Sequence, residues 1–228
     1  MSVATDERAA LCDLLDELGP DQPTLCEGWQ TRDLAAHLVV REYRPDAAPG
    51  ILFSALAGYT RRVQDTYARR PWRELVDLVR GGPPVWWPTR VPAVDKLVNS
   101  IELFVHHEDV RRGQEGWTPR EPDAKRAAAL WAGLARAGKL TLRRTPVGLV
   151  LRRTASARAP EAPNVSTLAP QAPLDGESIV VKRGPNTVTV SGEPGELLLF
   201  AFGRDAARVE FDGEQSAIGA VRGLNRGL

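Results

Sequence analysis

The sequence predicts an α+β protein in which a four-helix bundle with one added helix precedes a small domain of strands and helices. Three observations carry this. Apolar residues recur at three- and four-residue spacing through the first part of the chain, and Gly and Pro cut that pattern into helix-length pieces. After Gly138 the grammar changes to short β-rich runs, GLVLRRT, SIVVKRG and NTVTVSG, set off by Gly, Pro and Asn. The expected domains are therefore 1–138 and 139–228, and 228 residues suffice to bury their cores without disulfide or metal staples.

Leu11, Leu14, Leu15 and Leu18 share one face of a helix over 6–18, which Gly19-Pro20 ends. The loop DQPTLCEGW leads to a second helix over 31–43, with Leu34, Ala35, Leu38 and Val39 as its stripe and Asp33 in its first turn. Pro45, Pro49 and Gly50 break it; a third helix is expected over 51–70 and a short one over 72–79. The four prolines of GGPPVWWPTRVP exclude regular helix and predict an ordered loop or lid. Leu97, Val98, Ile101, Phe104 and Val105 then mark a helix over 93–112 closed by Gly113, and Ala128, Leu130, Trp131 and Leu134 another over 121–137. In the second domain SIVVKRGPNTVTVSG reads as a hairpin around Gly184-Pro185-Asn186, GEPGELLLFAFG as a helix, ARVEFDG as a strand and EQSAIGAVRGL as a closing helix. SARAPEAPNVSTLAPQAP reads as an exposed loop.

Lys plus Arg (30) nearly balance Asp plus Glu (29), so a net charge of +1 provides no field for gathering nucleic acid or anionic lipid, and neither is an expected partner. Cys12 and Cys26 are too far apart for a CxxC pair and suit free thiols in a reducing compartment. The polar, acidic start and the lack of an apolar run near the ~20 residues needed to cross a bilayer make the cytoplasm the expected location.

The three histidines all sit in two amphipathic helices, at His37 and at the pair His106-His107. Glu102 and His106 are four apart and so share a helical face at chelating distance, whereas His107 points about 100° away from His106. With His37 from another helix they form an N2O donor set of the kind that leaves positions open on a catalytic metal, suited to Zn, Ni, Fe or Mn. The competing reading is a surface Glu–His pair and a core histidine satisfied by a hydrogen bond. Glu102 lies beside Ile101 and one turn from Val98 and Val105, where an unpaired carboxylate is expensive, and this favours the metal. Asp109 is off both donor faces and reads as a partner of a ligand. Trp29, Trp86 and Trp87 are candidates for lining a cleft or for filling the core.

TLCEGWQTRDLAAHLVVRE and NSIELFVHHEDVRRG together resemble the mycothiol-dependent maleylpyruvate isomerase family of DinB-like metal proteins, and ELLLFAFGRDAARVEFDGEQSAIGAV looks like that family's C-terminal domain. The resemblance implies a DinB-like bundle that holds a divalent metal, most often zinc, through His37, Glu102 and His106. Where the family places Ser or Thr after its Gly-Trp this chain has Gln30, which leaves Thr31 as the expected helix cap. The match of Gly203-Arg204 to a Gly-Arg of the family implies that Arg204 holds a substrate carboxylate in catalysis; a cation at a helix end beside a capping glycine is the other reading. The implied activity is isomerisation or S-transfer on a small electrophilic substrate. Its thiol comes from mycothiol, a low-molecular-weight partner suited to an actinobacterial source, with which the Ala- and Arg-rich composition agrees. Metal-dependent hydrolysis of a small amide or ester, and metal binding without catalysis, are the alternatives.

Overall fold

The computed structural model describes residues 2–51, 53–84, 92–154, 177–224 and 226, with the backbone alone at 54 and 92–98. The Trp86-Trp87 loop and the Ala/Pro-rich stretch over 156–173 lie outside the described residues. The chain forms two compact units, 1–119 and 120–228. The expected boundary was Gly138, which instead lies inside a helix over Ala124–Thr141 that groups with the second unit.

In the first unit α1 (Val3–Leu18), α2 (Thr31–Tyr43), α3 (Ala57–Ala68), α4 (Trp72–Gly81) and α5 (Pro92–Arg112) follow in order. The Ser2 hydroxyl caps α1 by accepting from the Thr5 N–H at 3.1 Å. The cap of α2 differs from expectation. Gln30 is the N-cap, its backbone N–H donating to Asp33 at 3.0 Å, while the Thr31 hydroxyl sits inside the helix and donates to the Gly19 carbonyl at 2.6 Å. The helix expected over 51–70 starts only at Ala57, after 3-10 turns at Ala48–Ile51 and Ser54–Leu56. There Gly50 presses against Leu56 and Thr60, and a Cβ at position 50 would clash with both. Pro92 opens α5 at a position where its missing N–H costs nothing.

Helix α1 packs on α4 and α5, and α2 on α3 and α4. Leu11, Leu15, Leu34, Leu38, Leu75, Val79, Leu103 and Val110 form their shared core. Arg8 ties three of these helices together: its guanidinium donates to both Glu42 oxygens, at 2.9 and 2.5 Å, and to the Val79 carbonyl at 2.7 Å. At its far end α5 is held by a close backbone approach. A Cβ at Gly113 would lie 2.5 Å from the Pro23 carbonyl oxygen, and the Leu25 N–H donates to the Asp109 carbonyl at 2.9 Å. The loop before α2 is thereby fastened to the helix that carries Glu102 and His106. Among the described residues no helix is long and apolar enough to cross a membrane.

In the second unit α6 (Ala124–Thr141) precedes β1 (Leu149–Arg153), β2 (Ser178–Lys182), β3 (Val188–Gly192), α7 (Pro194–Ala201), β4 (Glu210–Asp212) and α8 (Gln215–Arg222). Asp123 caps α6 by accepting from the Arg126 N–H. Strand order is β2-β1-β3-β4, with β1 antiparallel to β2 and parallel to β3. The expected hairpin of β2 with β3 is therefore absent, because β1 lies between them. The connection that carries Gly184-Pro185-Asn186 passes over the start of β1, where Gly148 donates to the Pro185 carbonyl at 3.2 Å and leaves no room for a Cβ beside Thr187. Helix α7 is buried along its whole length and packs on α6 and β3, its one carboxylate, Glu196, accepting from the Arg208 N–H at 2.7 Å.

Replacing Gly113 with Ala should lower stability by about 1–3 kcal/mol, because the added methyl has only backbone to displace. Replacing Gly58 in α3, where a Cβ meets nothing within 4 Å, should be neutral or stabilising. Thermal unfolding of the two variants checks this; a Gly113→Ala protein that melts with the parent would show that the loop is not docked there.

Candidate metal centre

The helix pattern that buries Leu34, Leu38 and Val39 also carries His37 inward on α2, and α5 brings Glu102 and His106 to it one turn apart. One donor atom from each of the three lies within 4.8 Å of the other two. His106 Nε2 and Glu102 Oε2 are 3.5 Å apart. Donors bound at 2.0–2.2 Å to one tetrahedral ion stand about 3.4 Å apart, so this pair already has the spacing of two ligands of one ion. The rings of His37 and His106 meet at 70° with centroids 5.1 Å apart, and the Trp29 ring also lies 5.1 Å from that of His37, tilted at 52°. His37 and His106 are buried and Glu102 is a quarter exposed, so the centre has one wet side.

A second row of residues holds the donors. Asp109, fully buried, faces His106 Nδ1 at 3.1 Å, which fixes the tautomer that leaves Nε2 free to coordinate. The thiol of Cys26 donates to the same Asp109 oxygen at 3.2 Å. Cys26, His106 and Asp109 thus form a second compact group that shares His106 through its other nitrogen. Arg41 stands 3.6 Å from Glu102 and donates to Asn99 at 2.7 Å. His107 turns the other way and pairs with buried Glu7 on α1 at 2.8 Å.

Charge in the centre is arranged for a cation. Burial alone would raise the Glu102 carboxyl, but the hydrogen bond with His106 and the charges of Arg41, His106 and His37 outweigh it and bring its pKa to about 2. Burial alone would lower His106, but its hydrogen bonds with Asp109, Cys26 and Glu102 and the charge of Asp109 hold it well above the ordinary imidazole range. Without a metal, a proton on His106 compensates the two carboxylates. The donor set and its charge therefore fit a divalent ion that displaces that proton.

Sequence spacing brings together His37, Glu102 and His106, and it places Asp109 as a partner of a ligand. Cys26 and Arg41 are the residues it misses. Arg41 follows His37 by four and so shares its helical face, the same signal that pairs Glu102 with His106. Cys26 carried no such signal, since only the docking of its loop on α5 takes it there. Cys12, by contrast, is a core thiol whose burial pushes its pKa up to about 12. Arg204 lies in the second unit, just past α7, where Gly203 adopts a φ of +82° and the Arg204 guanidinium donates to the Phe202 carbonyl at 2.7 Å.

No family model matches the chain, and no curated protein matches it significantly. Two solved structures match. One is a histidine-to-alanine variant of the mycothiol-dependent maleylpyruvate isomerase, 16% identical, with a TM-score of 0.55 over 93% of this chain and 91% of that one. The other is the mycothiol-dependent maleylpyruvate isomerase, also 16% identical over the same shares, with a TM-score of 0.48. The first likeness shows a shared α+β fold.

A metal ion held by His37, Glu102 and His106 would have to displace the His106 proton, so its affinity should rise with pH, about tenfold per unit below the raised His106 pKa for one proton released. Competition titrations with a chromogenic chelator at several pH values measure it, and a pH-independent affinity would count against His106 as a ligand. His106→Ala should lose most of the bound metal by elemental analysis. His107→Ala should keep the metal and instead lose stability, since it removes the imidazole facing Glu7.

Proposed function

We propose that the first unit is a DinB-like four-helix bundle that binds one divalent transition metal, zinc foremost, through His37, Glu102 and His106, and that the protein is a mycothiol-dependent isomerase or S-transferase. The observation that carries this is the convergence of two imidazoles and a carboxylate, charged to accept a cation, in a centre with one wet side. The motif resemblance and the fold shared with a mycothiol-dependent isomerase supply the thiol.

A divalent ion bound there would lower the pKa of a coordinated thiol, so that it is a thiolate at neutral pH. The chain's own residues supply the setting. Asp109 keeps His106 Nε2 turned to the donors, and the hydrogen bond with His106 together with the charge of Arg41 keeps Glu102 ionised. The Trp29 ring beside His37 forms an apolar wall that limits water at one side. Cys26 spends its proton on Asp109, behind the His106 ring, so the reacting thiol is assigned to the cofactor and not to this residue. The substrate class is a small electrophile with a carbon open to thiol addition, and Arg204 is assigned its anionic group.

Zinc-loaded protein should turn over maleylpyruvate, or conjugate a haloaromatic electrophile, only when mycothiol is added, and His106→Ala should lower that rate by about a hundredfold or more. Thiol-independent cleavage of small esters or amides would replace this reading with a metal-dependent hydrolase. Full metal content with no turnover in either assay would leave a metal-binding protein without catalysis.

A further inference from the structure

We propose that Cys26, Asp109 and His106 Nδ1 form a second metal site, selective for a thiophilic ion such as cadmium, whose occupation excludes an ion from His37, Glu102 and His106 Nε2. The site stands on its own geometry, whereas the exclusion rests on the metal reading above.

The three donors are already gathered. The Cys26 Sγ and His106 Nδ1 both lie against the same Asp109 oxygen, at 3.2 and 3.1 Å, and one donor atom from each residue lies within 4.8 Å of the other two. A sulfur, a nitrogen and an oxygen on one tetrahedral ion of zinc's size stand about 3.4–3.6 Å apart, so each contact needs to open only slightly. Protons on the thiol and on the imidazole now hold the group together. A cation takes the place of both, and the protons leave to solvent.

The loop before α2 presents the thiol in place. The Cys26 N–H donates to the Thr24 hydroxyl at 3.2 Å, that hydroxyl donates to the Trp29 carbonyl at 3.0 Å, and the Leu25 N–H donates to the Asp109 carbonyl at 2.9 Å. Of the three donors only Cys26 is partly exposed, so an ion enters past the sulfur. The donor types choose the ion. Thiolate, imidazole and carboxylate make a softer and more negative set than two imidazoles and a carboxylate, so a thiophilic ion favours Cys26 over His37. A thiol is a weak hydrogen-bond donor, and a hydroxyl would serve Asp109 better if donation were its whole role. Cys12, the other thiol of the chain, is fully buried and belongs to no such group among the described residues.

The exclusion follows from the shared ring. A neutral imidazole offers one lone pair in its plane, and its other nitrogen carries the proton. With Nδ1 on an ion the proton moves to Nε2, 3.5 Å from Glu102, and the first donor set is left with His37 and Glu102. Such coupling is reciprocal, each ion weakening the other by the same factor.

The metal-free, full-length protein is titrated with cadmium and followed by the charge-transfer absorption of a cadmium–thiolate bond. Saturable growth of that absorption is expected. Cys26→Ser should abolish it and His37→Gln should keep it. Cys26→Ser should also retain the zinc affinity found by chelator competition, because its hydroxyl still donates to Asp109. Zinc-loaded protein should bind cadmium about tenfold more weakly or worse, with zinc released as cadmium enters. In the unsubstituted protein, cadmium should protect Cys26 from iodoacetamide, read by mass spectrometry of its peptide. No thiolate absorption, absorption that survives Cys26→Ser, its loss in a folded His37→Gln protein, or no protection from alkylation would overturn the site. Cadmium and zinc bound together at undiminished affinity would overturn the exclusion. Cadmium bound in this way by a protein that takes up no zinc would overturn the metal reading above and uphold this site.

Discussion

The burial of four consecutive ionisable residues, His106, His107, Glu108 and Asp109, is the constraint on which the first unit depends. Successive residues on a helix point about 100° apart, so four in a row can be buried only if α5 is covered on every side. Each then needs a partner from whatever covers it. Glu7 comes from α1, Cys26 from the loop before α2, and Arg112 from the next turn of α5, where it donates to Glu108 at 2.6 Å and stacks on Trp117. An uncompensated charge at any of these places would cost several kcal/mol, a large share of the stability of an ordinary domain. The arrangement of α1, α2 and the loop around α5 is thus specified by pairing as much as by apolar contact.

That same constraint divides two adjacent histidines between stability and chemistry. His107 turns to Glu7 and belongs to the packing of α1 on α5. His106 turns to Glu102 on one side of its ring and to Asp109 on the other, so the core orients one nitrogen while the other faces the donors. Held in this way, His106 would lose little freedom on binding an ion, and its carboxylate partner raises its basicity. The orientation of His106 thus follows from the packing demands of α5, and Arg8 and Glu42 fix α1 to α2.

Most of the helices were legible because each must bury a stripe, and a stripe is written locally. The grouping of His37, Glu102 and His106 was legible for a related reason: Glu102 and His106 share a face at four-residue spacing, and only one further histidine stands on another amphipathic helix. What was not legible depends on partners distant in sequence. The delayed start of α3 comes from Gly50 meeting Thr60, and the position of Cys26 comes from its loop docking at Gly113. The stripe of α6 states that the helix is buried but not against what, which is why it appeared to belong with the preceding helices and instead packs on α7. Strand alternation likewise identifies β2 and β3 without naming their neighbour.

The sheet of the second unit has a consequence for how it assembles. One of its two inner strands, β1, comes first among the described strands and is flanked by β2 and β3, which are consecutive with each other. Such a sheet cannot zip up from a hairpin of β2 with β3, since these two, the described strands with the shortest connection, do not pair. Both ladders of β1 instead join residues far apart along the chain, and the entropy of closing those loops is spent before any strand contact repays it. The first unit, whose helices gain most of their bonds locally, has no such delay. On a ribosome it also emerges first, so His37, Glu102 and His106 can come together while the sheet is still waiting for β3.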